Sequence, residues 1–83
     1  PASRVATLTG APDLLEGALA TLQLPPGAEV LGPVEVADDQ RYVIRVPRTV
    51  GAELSAALVL MQAGRSARKE PHLRVDVDPV SLD

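Results

Sequence analysis

The sequence predicts an α+β domain of the ferredoxin-like, split β-α-β kind, a four-stranded antiparallel sheet with two helices on one face. Three observations lead there. Apolar residues recur at a helical period in two stretches, Leu14 to Leu22 and Leu54 to Met61. Apolar and polar residues alternate at a strand period in two others, Arg41 to Val46 and Leu73 to Val77. Between them, Gly and Pro punctuate the chain so that the order reads β-α-β-β-α-β.

The first strand is the apolar run from Val5 to Leu8, closed by Thr9-Gly10. Pro12 then stands where a first helical turn tolerates a missing N–H. In the helix that follows, Leu14, Leu15, Ala18, Leu19 and Leu22 line one face, and Pro25-Pro26-Gly27 ends it. Val30 to Val36 is rich in β-branched residues but interrupted by Gly32-Pro33, which suits an edge strand or a bend because Pro cannot donate to a ladder. Asp38-Asp39-Gln40 is the expected turn of a hairpin. The next strand puts Tyr42, Ile44 and Val46 on one side and Arg41, Val43 and Arg45 on the other. Pro47 closes it. A second helix begins near Thr49 to Glu53, with Leu54, Leu58 and Met61 inward and Ala56, Ala57 and Ala63 permitting close approach; Gly64 marks its weakening or end. The polar segment from Arg65 to Pro71 either extends that helix or leaves it. Leu73, Val75 and Val77 then face the helices, and Arg74, Asp76 and Asp78 face away. Arg41, Arg45, Arg74 and Asp76 are therefore expected on the open face of the sheet.

The 83 residues suggest a single domain, 1–83, able to bury only about 60–65% of its unfolded surface. Its core must be aliphatic, because 46% of residues are hydrophobic and Tyr42 is the sole aromatic. There is no Cys, so neither a disulfide framework nor a thiolate zinc site is available. The apolar stretch from Ala56 to Ala63 is too short to span a bilayer, so the chain reads as soluble, with no membrane partner. Net charge is −3 overall, but residues 1–40 carry −5 and residues 41–83 carry +2. A self-sufficient nucleic-acid domain would be more basic than this.

Three short motifs occur in order: Val30-Leu31-Gly32-Pro33-Val34, Arg41-Tyr42, and Leu73-Arg74-Val75-Asp76-Val77-Asp78-Pro79. They are spread over residues 30–79, more than half the chain, and in sequence and spacing they resemble the C-terminal domain of primosomal protein N′, the bacterial replication-restart helicase. The opening Pro1-Ala2-Ser3-Arg4 looks like the tail of the proline-rich segment that leads into that domain, and the resemblance implies that the chain is an excised piece of a larger protein. The resemblance implies a fold like a small ribosomal protein of the ferredoxin-like type and a cytoplasmic location. It also implies three partners: forked or single-stranded DNA, the helicase lobes of the same parent, and the single-strand DNA-binding protein. In the parent family ATP and zinc are bound upstream. This chain has neither a GxxxxGK[ST] loop nor Cys, so no cofactor and no motor activity are expected of it. Family members often follow Arg-Tyr with another cation and an aromatic, whereas Val43 and Ile44 stand here, as in a divergent, actinobacterial-like branch. Stacking and phosphate neutralisation are worth roughly 1–3 kcal/mol per stacked base, so weak, salt-sensitive DNA binding follows.

The nucleic-acid-binding candidates are Arg41, Arg45, Arg48, Arg65, Arg68, Lys69 and Arg74. Arg65, Arg68, Lys69, His72 and Arg74 form the densest basic stretch, able to track phosphates or, more blandly, to complement a helix end. Asp76 and Asp78 lie about 7 Å apart on one strand face, too few ligands for a calcium or magnesium shell. Asp78-Pro79 reads instead as a strand end, with Asp76 paired to Arg41, Arg45 or Arg74. No catalytic residue is assigned, because the hydroxyls have only His72 as a base and His72 has no evident orienting partner. A second functional class fits the same residues: a stand-alone ferredoxin-like regulatory module that dimerises through its sheet or binds a small ligand.

Overall fold

The structure is a computed structural model that describes residues 3–71 and 73–77. Its elements follow the expected order: β1 (Ser3–Gly10), α1 (Pro12–Thr21), β2 (Glu29–Val36), β3 (Asp39–Pro47), a single 3-10 turn (Arg48–Val50), α2 (Gly51–Ala67) and β4 (Arg74–Val77). The strands form one antiparallel sheet in the order β2-β3-β1-β4, with both helices supplying the core on one side. This is the ferredoxin-like arrangement.

Parity decides which side chains are buried. Ala6 and Leu8 of β1 pair with Ile44 and Tyr42 of β3, and Leu8 also pairs with Val75 of β4. These residues meet Leu15, Ala18 and Leu22 from α1 and Leu54, Ala57, Leu58 and Met61 from α2. Fully burying each large aliphatic side chain contributes about 1.5–3 kcal/mol. Tyr42 is half-buried against this core, as its parity requires, and Leu73 closes one end. Val77 keeps the expected direction but remains 40% exposed, because β4 is an edge strand with a neighbour on one side only.

Gly32-Pro33 bends β2 as expected. Leu31 pairs with Val43 and Val34 with Arg41, so two residues of β2 stand opposite the single Tyr42. The bulge switches parity, and Leu31 and Val34 both land on the open face. Gly32 has φ +117°, and a Cβ there would come within 2.8 Å of the Arg41 carbonyl oxygen. Only glycine fits.

One expected boundary moves, and one left open is settled. The hairpin turn is Ala37-Asp38, because Asp39 already pairs with Val36 and Gln40 with both Glu35 and Gly10. A two-residue connection with Ala37 at φ 55° closes the hairpin one residue earlier than the polar run suggests. Of the two courses open to the segment after Gly64, both are used: the second helix continues to Ala67, then exits through Arg68 and a left-handed Lys69. A Gln62 side-chain donor to the Leu73 carbonyl, 3.3 Å, holds the exit against the helix.

Candidate nucleic-acid interface

Thr9 organises the open face. It pairs with Arg41 on one side and Arg74 on the other, so all three side chains project from the same face at the same end of the sheet. The Arg41 Nε donates to Thr9 Oγ1 at 3.1 Å, which fixes the guanidinium without neutralising it. The Arg74 Nε donates to Asp76 Oδ2 at 2.8 Å along its own strand. Both arginines line one open depression of about 450 Å³, with Leu14, Val36 and Asp39 among its walls.

The other cations lie elsewhere. Arg45 is on the same face but further along β3, where its Nε and Nη2 both donate to the Glu29 carboxylate at 2.9 and 2.6 Å. Arg48 opens the 3-10 turn beyond Pro47, exposed and without an ion pair among the described residues. Lys69 is likewise exposed. Arg68 donates to Glu70. Arg65 sits inside, only 4% exposed, donating to Glu70 Oε1 at 3.0 Å and to the Pro71 carbonyl at 2.6 Å. The dense basic stretch of the sequence is thus divided between an interior clasp at Arg65, a solvated exit loop at Arg68 and Lys69, and the open sheet face at Arg74. Of its described members only Arg74 shares the open face with Arg41 and Arg45.

Electrostatics follow from these pairings. The Arg68 hydrogen bond, reinforced by the Arg68 and Arg65 charges, holds the Glu70 carboxyl below its ordinary range against a smaller opposing effect of desolvation. Glu29 and Asp76 intersperse negative charge among the open-face arginines, so the cations that keep uncompensated charge among the described residues include Arg41, Arg48 and Lys69. Position 43 faces outward beside Leu31 while position 44 is wholly buried. A cation at 43 would therefore join the arginine face, but an aromatic at 44 would join the core.

Among the described residues no group of His, Cys, Asp or Glu side chains is arranged to hold a metal ion. His72 and Asp78 lie outside those residues, and Asp76 is turned to Arg74. No helix among them is long and apolar enough to cross a membrane. Two features escaped the sequence reading. One is Thr9, whose place between two arginines is visible only once the register is known. The other is Arg4, whose aliphatic stem runs under Gly51 and whose Nε is buried without a hydrogen-bond partner among the described residues.

No curated protein and no solved structure matches the chain significantly. The profile of the family described as the primosomal protein N C-terminal domain, however, matches residues 1–80, nearly the whole chain. Fold, motifs and this match agree, and the chain belongs to the family of primosomal protein N C-terminal domains, a small domain of the primosome and of replication restart.

Proposed function

We propose that this domain is a nucleic-acid- and partner-binding module that helps a replication-restart protein hold forked or single-stranded DNA and position its upstream helicase lobes. The observation that carries the reading is the Arg41-Thr9-Arg74 row, two guanidiniums on one face above one depression. Arg48, Arg68 and Lys69 add longer-range attraction from other edges, and Arg45 contributes when Glu29 is displaced. Arg65 serves by fixing the exit loop. The single-strand DNA-binding protein and the helicase lobes are the protein partners in this reading; ATP and zinc belong to upstream parts of the parent, in the cytoplasm.

With two or three phosphate contacts, the slope of log K against log salt is about −1.5 to −2, since each contact to a single strand adds roughly −0.7. Binding is therefore weak and lost early as salt rises. The test is a fluorescence-anisotropy titration of forked and single-stranded oligonucleotides at about 50 mM salt, where electrostatic binding is still strong. Saturable binding that falls about tenfold in Arg41→Ala/Arg74→Ala is expected. No binding to any fork at low salt would restrict the domain to protein contacts.

A further inference from the structure

Between Gly51 and Arg65, α2 carries a single charged residue, Glu53. Its inward face is used by the core, yet its outward face is apolar as well: Val59 is 67% and Leu60 72% exposed, with Ala52, Ala56, Ala63 and Ala67 exposed around them. A helix that is apolar all round belongs under a cover. The residues Ala56, Leu60, Ala63 and Ala67 recur at intervals of four, three and four, the spacing of a helix–helix seam. Ala56 and Leu60 of this row, with Glu53, Gly64 and Arg68, line a groove of about 360 Å³ that Thr21 and Gln23 bound on the far side.

Charge identifies the occupant. Glu53 lies seven residues before Leu60, is exposed, and has no ion pair among the described residues. Arg68 lies eight residues after Leu60 and lines the same groove; its Nε is on Glu70, but with the exposed Lys69 beside it the exit loop of Arg68, Lys69 and Glu70 keeps a net positive charge. A two-fold axis through Leu60 brings an antiparallel α2 onto α2. Leu60 then meets its own counterpart, Ala56 lies opposite Gly64, and Glu53 approaches Arg68, twice over. We infer that the outer face of α2 docks a second copy of this chain as an isologous, antiparallel helix pair. Small residues on either side of Leu60 let the axes approach to about 8 Å. A 17-residue helix is about 25 Å long, so the pair buries less than about 1,200 Å², and the dimer is weak, with a Kd of about 10–100 μM. The dimer leaves the Arg41-Thr9-Arg74 row free, because that row lies on the opposite side of the sheet; Arg68, with Lys69 beside it, is used by both readings.

Sedimentation velocity of this chain over about 5–500 μM, a range that brackets that Kd, tests it. The mass should rise toward twice the monomer. Leu60→Asp, at a site already in solvent, should remain monomeric with an unchanged circular-dichroism melt, and Glu53→Lys should weaken the dimer about fivefold by facing Arg68 with a like charge. Because the chain has no Cys, Leu60→Cys supplies one thiol on the axis and should cross-link to a covalent dimer faster than Leu31→Cys on the sheet face. A monomer throughout the range overturns the inference. So does a dimer that survives Leu60→Asp, or faster cross-linking through Leu31→Cys.

Discussion

The Arg65 guanidinium reaches across the end of α2 to the Glu70 carboxylate and the Pro71 carbonyl, while the Glu70 N–H donates to the Arg65 carbonyl at 3.0 Å. One side chain thus ties the helix end to the segment that leads into β4. Arg65→Ala should destabilise the fold by about 2 kcal/mol, combining lost charge-assisted hydrogen bonds with lost packing of the aliphatic stem. Arg65→Lys should restore only part of this, because an ammonium cannot present the same planar fork. Urea unfolding of both variants measures the difference. The spacing Leu54, Leu58, Met61, Arg65 continues the inward stripe of α2, so the position of Arg65 was legible in the sequence. Its charge drew it instead into the basic run. Glu70 adds a pH dependence of defined sign. Its folded pKa lies below the ordinary 4.5, so its contribution is fully present above that value and is lost as pH falls through the lowered pKa. Wild type should therefore exceed Glu70→Gln in stability at neutral pH, with the gap closing on acidification. A gap constant with pH would assign the effect to packing rather than charge.

Among the elements, α1 and β2 respond to glycine replacement in opposite directions. Gly17 is exposed in mid-helix, and a Cβ there meets nothing within 4 Å. Gly17→Ala should stabilise the domain by about 0.5–1 kcal/mol, because the unfolded chain loses freedom and no contact is strained. Gly32→Ala should destabilise it by about 1–3 kcal/mol, since the added methyl meets a backbone carbonyl at a positive φ. Thermal melts of the two variants should shift in opposite directions. The sequence announced the bend in β2 through Pro33. The switch of parity was not legible, because a bulge is defined by the partner strand, here by Tyr42 standing alone opposite two residues. For the same reason the aliphatic patch of Leu31, Val34 and Val43 on the open face emerges only from the register.

At the scale of the whole molecule, the −5 and +2 halves of the chain do not become two separate faces. The sheet brings Glu29 from the acidic half against Arg45 from the basic half, and Thr9 from the acidic half between Arg41 and Arg74. Local pairing therefore spends part of the charge asymmetry that suggested a basic face. Removing an internal competitor should expose this: Glu29→Gln frees Arg45 and should tighten binding to single-stranded DNA by about two- to fivefold at low salt, with a steeper salt slope. Anisotropy titrations at several salt concentrations measure both quantities.

What the sequence by itself determined is whatever depends on period and punctuation: the order of six elements, the inward stripe of each helix and the parity of β3 and β4. Local dihedral preferences and amphipathic spacing act over a few residues and are written in consecutive letters. The three ordered motifs added the family, later met by the match over residues 1–80. What only the tertiary structure decided is which charges remain available. Arg41 and Arg74 lie far apart in the chain and meet on either side of Thr9, whereas Arg65 and Arg68 lie three apart and part between interior and solvent. Charge acts through space, and neighbours in space are fixed by strand register and helix exit rather than by adjacency along the chain.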